Sequence, residues 1–241
     1  MGREGSDGTG HDGGHRRVPR GPVARRGALT PPVQFDDGFR ASLAALLEWR
    51  RDVRRFRRDP LPEGALDRLL AVACRAPSVG LSQPWRFVVV EDPERRVAVR
   101  ALFARCNAEA AADYAGERAR HYAALKLAGL DDAPVQVSVF ADRDTPVGHG
   151  LGRRTMPEMI DYSVVTAIHT LWLAARAEGI GLGWVSILAP GEMARLLDVP
   201  PSWRFIGHLC LGTPEAEADT PELERAGWDD RRPAAEAILR R

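Results

Sequence analysis

Residues 179–187 read GIGLGWVSI, and the order of elements around them decides the fold. Three glycines at alternate positions invite comparison with a dinucleotide-binding turn, in which glycines follow a strand and open a helix. Here the order is reversed. A helical pattern from Pro157 to Glu178 comes first, and the strand-like run GLGWVSIL (181–188) follows. That order excludes the dinucleotide-binding fold. Two readings of the glycines stay open: small residues that let backbone N–H groups approach a planar ligand, with Ser186 adding a hydroxyl, or a helix cap at Gly179 followed by ordinary strand entry.

Working outward, WRFVVVED (85–92), PVQVSVFAD (134–142) and WRFIGHLCLG (203–212) read as three further strands. Apolar spacing predicts a helix from Phe39 through Leu43, Leu46 and Leu47 toward an arginine run that sits at or just past the helix end, and a second entered at Pro62 with Leu66, Leu69, Leu70 and Ala73 on one face. A long Ala- and Arg-rich helix is expected from about 94 to 128. Helices thus separate all the strands, which argues against a hairpin-built sandwich and for mixed α/β layers. GHGLGRR (148–154) reads as a mobile loop.

Composition narrows the function. Lys+Arg number 34 against 33 Asp+Glu, so the chain as a whole lacks the field that draws in nucleic acid or an anionic membrane. Neither partner is expected. Residues 1–34 are rich in Gly and Arg and poor in large apolar side chains, and are expected to be a disordered basic tail ahead of one domain, 35–241. Cys74, Cys106 and Cys210 lie far apart, and the six histidines, His169 and His208 among them, show no metal-ligand spacing, so no disulfide framework and no metal are expected. A cytoplasmic location is the simplest reading.

Two stretches carry candidate chemistry. RRDVRRF (50–56) crowds four guanidinium groups around one carboxylate, and on a helical turn Arg50 would share a face with Arg54, and Arg51 with Arg55. A phosphate would relieve that repulsion through bidentate contacts; a solvated basic helix end is the rival reading. APSVGLSQPWRF (76–87) offers Ser78, Ser82 and Gln83, whose amide both donates and accepts as a heterocycle edge requires, although Pro, Ser and Gly also fill ordinary turns.

Taken together, the early Arg-Arg-x-x-Arg cluster, the A-P-S-x-x-x-x-Q-P-W loop and the late G-x-G-W strand resemble the flavin-dependent nitroreductase superfamily over roughly residues 39–232. RTMPEMIDYSVVTAIHTLWLAARAEGIGLGWVSIL (154–188) and TPELERAGW (220–228) are similar to the branch of that superfamily that makes 5,6-dimethylbenzimidazole. Asp52, standing where ordinary members usually have serine, is the sharper discriminator, with Ser82 in place of a frequent asparagine.

The resemblance implies an α+β nitroreductase-like fold with a central mixed β-sheet flanked by helices, homodimeric with FMN at the subunit interface, under a lid drawn from residues 100–155. It implies that Arg50, Arg51 and Arg54, with Asp52 and Val53 in the same run, hold the phosphate and flavin edge. Ser78 and Gln83 would meet the ring or ribityl group, Gly183, Trp184, Val185 and Ser186 would lie along the flavin, and Arg225 would add to phosphate binding, although TPELERAGWDDRR (220–232) offers several arginines for that contact. The implied reaction consumes reduced FMN, supplied by an external flavin reductase, and O2, yielding 5,6-dimethylbenzimidazole and erythrose 4-phosphate for the lower ligand of cobalamin. Asp52 would shuttle protons and Ser186 orient oxygen. Its arginine neighbours are expected to keep Asp52 ionised. An NAD(P)H-dependent flavin reductase or nitroreductase, and a non-catalytic flavin-binding protein, remain alternatives.

Overall fold

The computed structural model describes residues 32–126 and 129–241. The expected tail lies, but for its last three residues, outside them. Residues 32–36 carry no helix or strand, and the compact unit runs from Asp37 to Arg241.

In chain order this unit is α1 (Asp37–Trp49), α2 (Ala65–Ala73), β1 (Trp85–Val89), α3 (Pro93–Ala111), α4 (Gly116–Ala124), β2 (Val135–Asp142), α5 (Met159–Ala177), β3 (Gly181–Val185), α6 (Pro190–Leu196), β4 (Trp203–Gly212) and α7 (Glu222–Arg225). The four strands form one sheet in the order β1-β2-β4-β3, every adjacent pair antiparallel. The expected mixed sheet is corrected on this point: among the described residues the only parallel pairing of a strand is an isolated bridge, Asp52 to Leu182. Apolar periodicity locates strands but carries no information on the direction in which they pair.

Side-chain alternation on the central strands builds a core on each face of the sheet. Val137, Val139 and Ala141 of β2 join Leu209 and Leu211 of β4 against α2 and α5. On α5 the buried positions Ile160, Val164, Ala167, Ile168, Leu171 and Ala175 recur at helical spacing, so one continuous stripe covers that face. On the opposite face Phe140 and Cys210 pack with Val99 and Leu102 of α3 and Met193 of α6. Asp92 caps α3 by accepting a bond from the Glu94 N–H at 2.8 Å, and Pro93 occupies its first turn.

The long helix expected over 94–128 is two helices. The chain turns at residues 112–115, Gly116 adopts φ +61°, and Tyr114 stacks on Tyr122 with ring centroids 4.7 Å apart. The third strand ends at Val185 instead of 188. GHGLGRR is folded into consecutive turns packed on the 78–83 loop, where a Cβ on Gly148 would come within 2.4 Å of the Gly80 carbonyl oxygen. No helix among the described residues is long and apolar enough to cross a membrane.

β3 lies at an edge of the sheet, and the segment after α1 covers it. Val53 N–H donates to the Leu182 carbonyl at 3.1 Å, Arg57 N–H to Thr213 at 2.8 Å, and Glu215 N–H to Arg55 at 3.1 Å. Phe56, 1 % exposed, anchors this cover in the second core, a burial worth roughly 2–3 kcal/mol. The arginine run is thereby stitched into the fold.

Candidate functional site: an arginine segment on the edge of the sheet

α1 stops at Trp49, and Arg50–Arg55 leave it without continuing the helix. The expected sharing of helical faces by Arg50 and Arg54, and by Arg51 and Arg55, is therefore wrong. What the helix end leaves unpaired is satisfied by side chains. Arg51 Nη1 donates to the Arg50 carbonyl at 2.7 Å, and Trp172 Nε1 of α5 donates to the Arg51 carbonyl at 3.0 Å. The Arg50 guanidinium lies over the Trp172 ring, 4.7 Å from its centroid.

Asp52 faces β3 and acts as its missing ladder partner. One carboxylate oxygen accepts the Trp184 N–H at 2.9 Å, and the other accepts Arg54 Nε at 3.0 Å. The glycines of β3 make this approach possible: a Cβ on Gly183 would stand 2.1 Å from the Val53 carbonyl oxygen, and one on Gly181 would stand 2.9 Å from the Val53 side chain. The room left by Gly183 is filled by the Val53 backbone, and that left by Gly181 by the Val53 and Pro214 side chains. Gly179, at φ +72°, does end α5.

Burial raises the Asp52 pKa above the ordinary carboxylate value; the Trp184 N–H and the charge and hydrogen bond of Arg54 pull it down, but desolvation outweighs them. Arg54 does favour the ionised form, as the charge pattern of the sequence leads one to expect, but burial opposes it and is the larger effect. The side chain still keeps 32 % of its surface accessible. Arg50 and Arg51 are both pushed below the usual guanidinium value, first by burial and then by the charge of Arg231. Arg231 is one of the arginines of the carboxyl-terminal stretch TPELERAGWDDRR, which the sequence offers beside Arg225 without deciding among them.

Arg51, Asp52, Val53, Arg54, Trp172 and Arg225 line one pocket of about 130 Å³. Arg54 Nη1 and Arg51 Nε are buried with no hydrogen-bond partner among the described residues. They fit a group rich in acceptor oxygens, such as a phosphate or a flavin edge. Acidic groups share the pocket, but Glu222 faces Arg55 at 3.5 Å and Glu217 faces Arg176 at 2.5 Å. Arg225 donates Nε to the Thr220 carbonyl at 3.3 Å.

The 76–83 loop is strained. Gly80, Leu81 and Gln83 all have positive φ, at 56°, 56° and 45°, and each of the two non-glycine residues costs on the order of 1–3 kcal/mol. Ser78 Oγ accepts the Gln83 N–H at 3.1 Å, Val79 N–H donates to Ser163 Oγ at 3.0 Å, and Thr166 Oγ1 donates to the Pro77 carbonyl at 2.9 Å. Ser82 Oγ is buried without a partner. Arg50, Ser78, Gln83, Gly183, Trp184, Val185 and the exposed Ser186 do not line the arginine pocket; Trp184 touches it only through its N–H to Asp52.

Elsewhere, His208 is fully buried, its Nδ1 2.8 Å from Ser138 Oγ and its Nε2 3.1 Å from Gln136 Oε1. The Gln136 oxygen can only accept, so Nε2 carries the proton and Ser138 donates to Nδ1. Burial, and secondarily the charge of Arg96, pushes its pKa down to about 3. Among the described residues no group of His, Cys, Asp and Glu is arranged to hold a metal ion.

Comparison with known proteins places this geometry. The chain matches the Nitroreductase family over residues 47–213. It is 58 % identical to the 5,6-dimethylbenzimidazole synthase of Rhodospirillum rubrum, over 83 % of this chain and 94 % of that one. It is 52 % identical to the 5,6-dimethylbenzimidazole synthase of Rhodobacter capsulatus, over 83 % and 97 %. Among solved structures, oxidized iodotyrosine deiodinase bound to FMN and 3-iodo-L-tyrosine superposes with a TM-score of 0.62 at 26 % identity, covering 73 % of this chain and 91 % of that one. The chain belongs to the nitroreductase family.

Proposed function

We propose that this chain is a 5,6-dimethylbenzimidazole synthase: it binds reduced FMN as substrate and, with O2, fragments it to 5,6-dimethylbenzimidazole and erythrose 4-phosphate, for the lower ligand of cobalamin. The observation that carries the reading is a carboxylate of raised pKa set among arginines that have unpartnered buried donors. Relatives of that name at 58 % and 52 % identity support it.

Arg51 and Arg54 would offer their free N–H groups to the phosphate or the flavin edge, with Arg50 beside them. Bound there, the flavin supplies the redox chemistry with oxygen and the carbon skeleton of the product. Asp52 holds or releases a proton at its carboxylate oxygens; a pKa raised toward neutrality suits exchange in both directions better than an ordinary carboxylate does. Ser186 lies just beyond β3, exposed, where its hydroxyl can be offered to a ligand.

A homodimer completes the proposal. A pocket of about 130 Å³ is small beside the 300–1,000 Å³ typical of ligand sites. α1 meanwhile exposes Phe39, Leu43, Leu47 and Trp49, and α5 exposes Tyr162 and Val165. A second copy covering these residues would bury apolar surface and bring Ser78 and Gln83 of one subunit to the arginines of the other. Reduced FMN would come from a separate cytoplasmic reductase.

The test is to bind chemically reduced FMN anaerobically, admit O2, and look for the benzimidazole by chromatography and mass spectrometry. Product is expected; simple return of oxidised FMN refutes the synthase. A second reading has its own support: the chain is 38 % identical to an NADH dehydrogenase of Thermus thermophilus over 70 % of its length. Rapid NADH consumption with a quinone acceptor, without benzimidazole, would establish that alternative.

A further inference from the structure

Trp172 of α5 makes two contacts with the arginine segment that differ in kind. Its Nε1–H donates to the Arg51 carbonyl at 3.0 Å, and its ring face receives the Arg50 guanidinium at 4.7 Å. Both fall on residues that have left the helix and lie outside the pairing that begins at Asp52. Between the end of α1 and the edge of β3, this one side chain fixes the backbone at Arg51 and the head group at Arg50.

The manner of fixing matters. A guanidinium stacked on an aromatic ring is held by its flat face, so its N–H edge stays available to an anion, whereas a carboxylate partner would occupy that edge. Both arrangements occur here, although Arg50 itself does not line the pocket. Arg176 also lies over a tryptophan, Trp49 at 5.8 Å, but its Nη1 is taken by Glu217 at 2.5 Å. Arg50 has no carboxylate at ion-pair distance among the described residues. Trp172 also leans on Trp184, centroids 6.3 Å apart, so its ring is steadied by the residue whose N–H holds Asp52.

We propose that Trp172 is a positioning residue that sets the preference of this site for a phosphorylated flavin over its unphosphorylated form, by presenting the Arg50 and Arg51 donors to the phosphate. This rests on the reading of the arginine segment as the phosphate-holding part of the site. A ligand lacking phosphate gains nothing from that presentation. Losing Trp172 therefore weakens FMN selectively.

The experiment measures dissociation constants of FMN and riboflavin for the full chain and for Trp172→Leu and Trp172→Phe. Phe keeps the ring face and lacks the N–H; Leu lacks both. In the wild type FMN is expected to bind more tightly than riboflavin. Trp172→Leu is expected to lower the FMN:riboflavin affinity ratio about tenfold, with riboflavin binding nearly unchanged, and Trp172→Phe to restore part of it. An unchanged ratio in Trp172→Leu, or equal weakening of both ligands, overturns the proposal. A wild type that binds the two alike would instead refute the phosphate reading beneath it.

Discussion

Asp52 and His208 are the two titratable side chains that most plainly divide the molecule into a part that reacts and a part that holds. His208 is 0 % exposed and both ring nitrogens are matched, to Ser138 and Gln136, which in turn donates to the Leu130 carbonyl at 2.9 Å. Asp52 keeps 32 % of its side chain accessible and stands beside arginine donors that nothing among the described residues satisfies. Burial disfavours the charged form in both. It raises the pKa of the acid and depresses that of the base, yet only the acid opens onto a pocket. A polar group with every partner inside the protein is structure; one beside unpaired donors is addressed to something outside it.

That contrast can be broken in three places. The largest effect is expected from Asp52→Asn, which preserves size and the Trp184 contact but removes basicity: FMN binding should persist while benzimidazole formation falls about 10²–10⁴-fold. Product at the parental rate would reduce Asp52 to a structural pair with Arg54.

Next in size is Gly183→Ala. Its Cβ would stand 2.1 Å from the Val53 carbonyl, so either β3 or the arginine segment must shift, at a cost of about 1–3 kcal/mol in urea unfolding and with loss of FMN affinity. An unchanged affinity would show that the segment's position on β3 is immaterial to the ligand.

The smallest effect expected is on pH. His208 titrates at about 3 in the folded chain and near 6.5 when unfolded. Above pH 6.5 it leaves stability unchanged; as pH falls below that value the unfolded chain takes up a proton that the folded one refuses. The wild type should lose about 2 kcal/mol between pH 7 and pH 5 relative to His208→Asn. Asp52 acts in the opposite sense, since its raised folded pKa favours folding at low pH and this contribution disappears as pH rises through that pKa. Equal pH slopes for wild type and His208→Asn would show that the histidine is not buried neutral.

The strands were readable because runs such as PVQVSVFAD concentrate β-branched and apolar residues that end up buried on both faces. Their antiparallel pairing was not, because direction is decided by contacts distant in sequence. The charge of RRDVRRF leaves a solvated helix end as a rival reading, and its place just past a helix end is legible in the apolar spacing; that its arginines share no helical face is not, because the segment is drawn onto β3, Phe56 and Trp172, none of which a local window weighs. Trp172 itself was invisible as a functional residue, since a tryptophan in an apolar helix reads as core. The alternate glycines of β3 signal a close approach, but not that the Val53 backbone is what approaches Gly183. The charged neighbours of Asp52 can be counted in the sequence, whereas the desolvation that outweighs them cannot.

The cover that Asp52 and Val53 lay over β3, continued by residues 55–57 along 213–215, has a practical corollary for anyone mutating this segment. Peeling it away bares a row of N–H and C=O groups on an open strand, a template onto which another chain can add. Damage here would then register as precipitate in the expression culture, and a variant scored as inactive must first be shown to have stayed in solution.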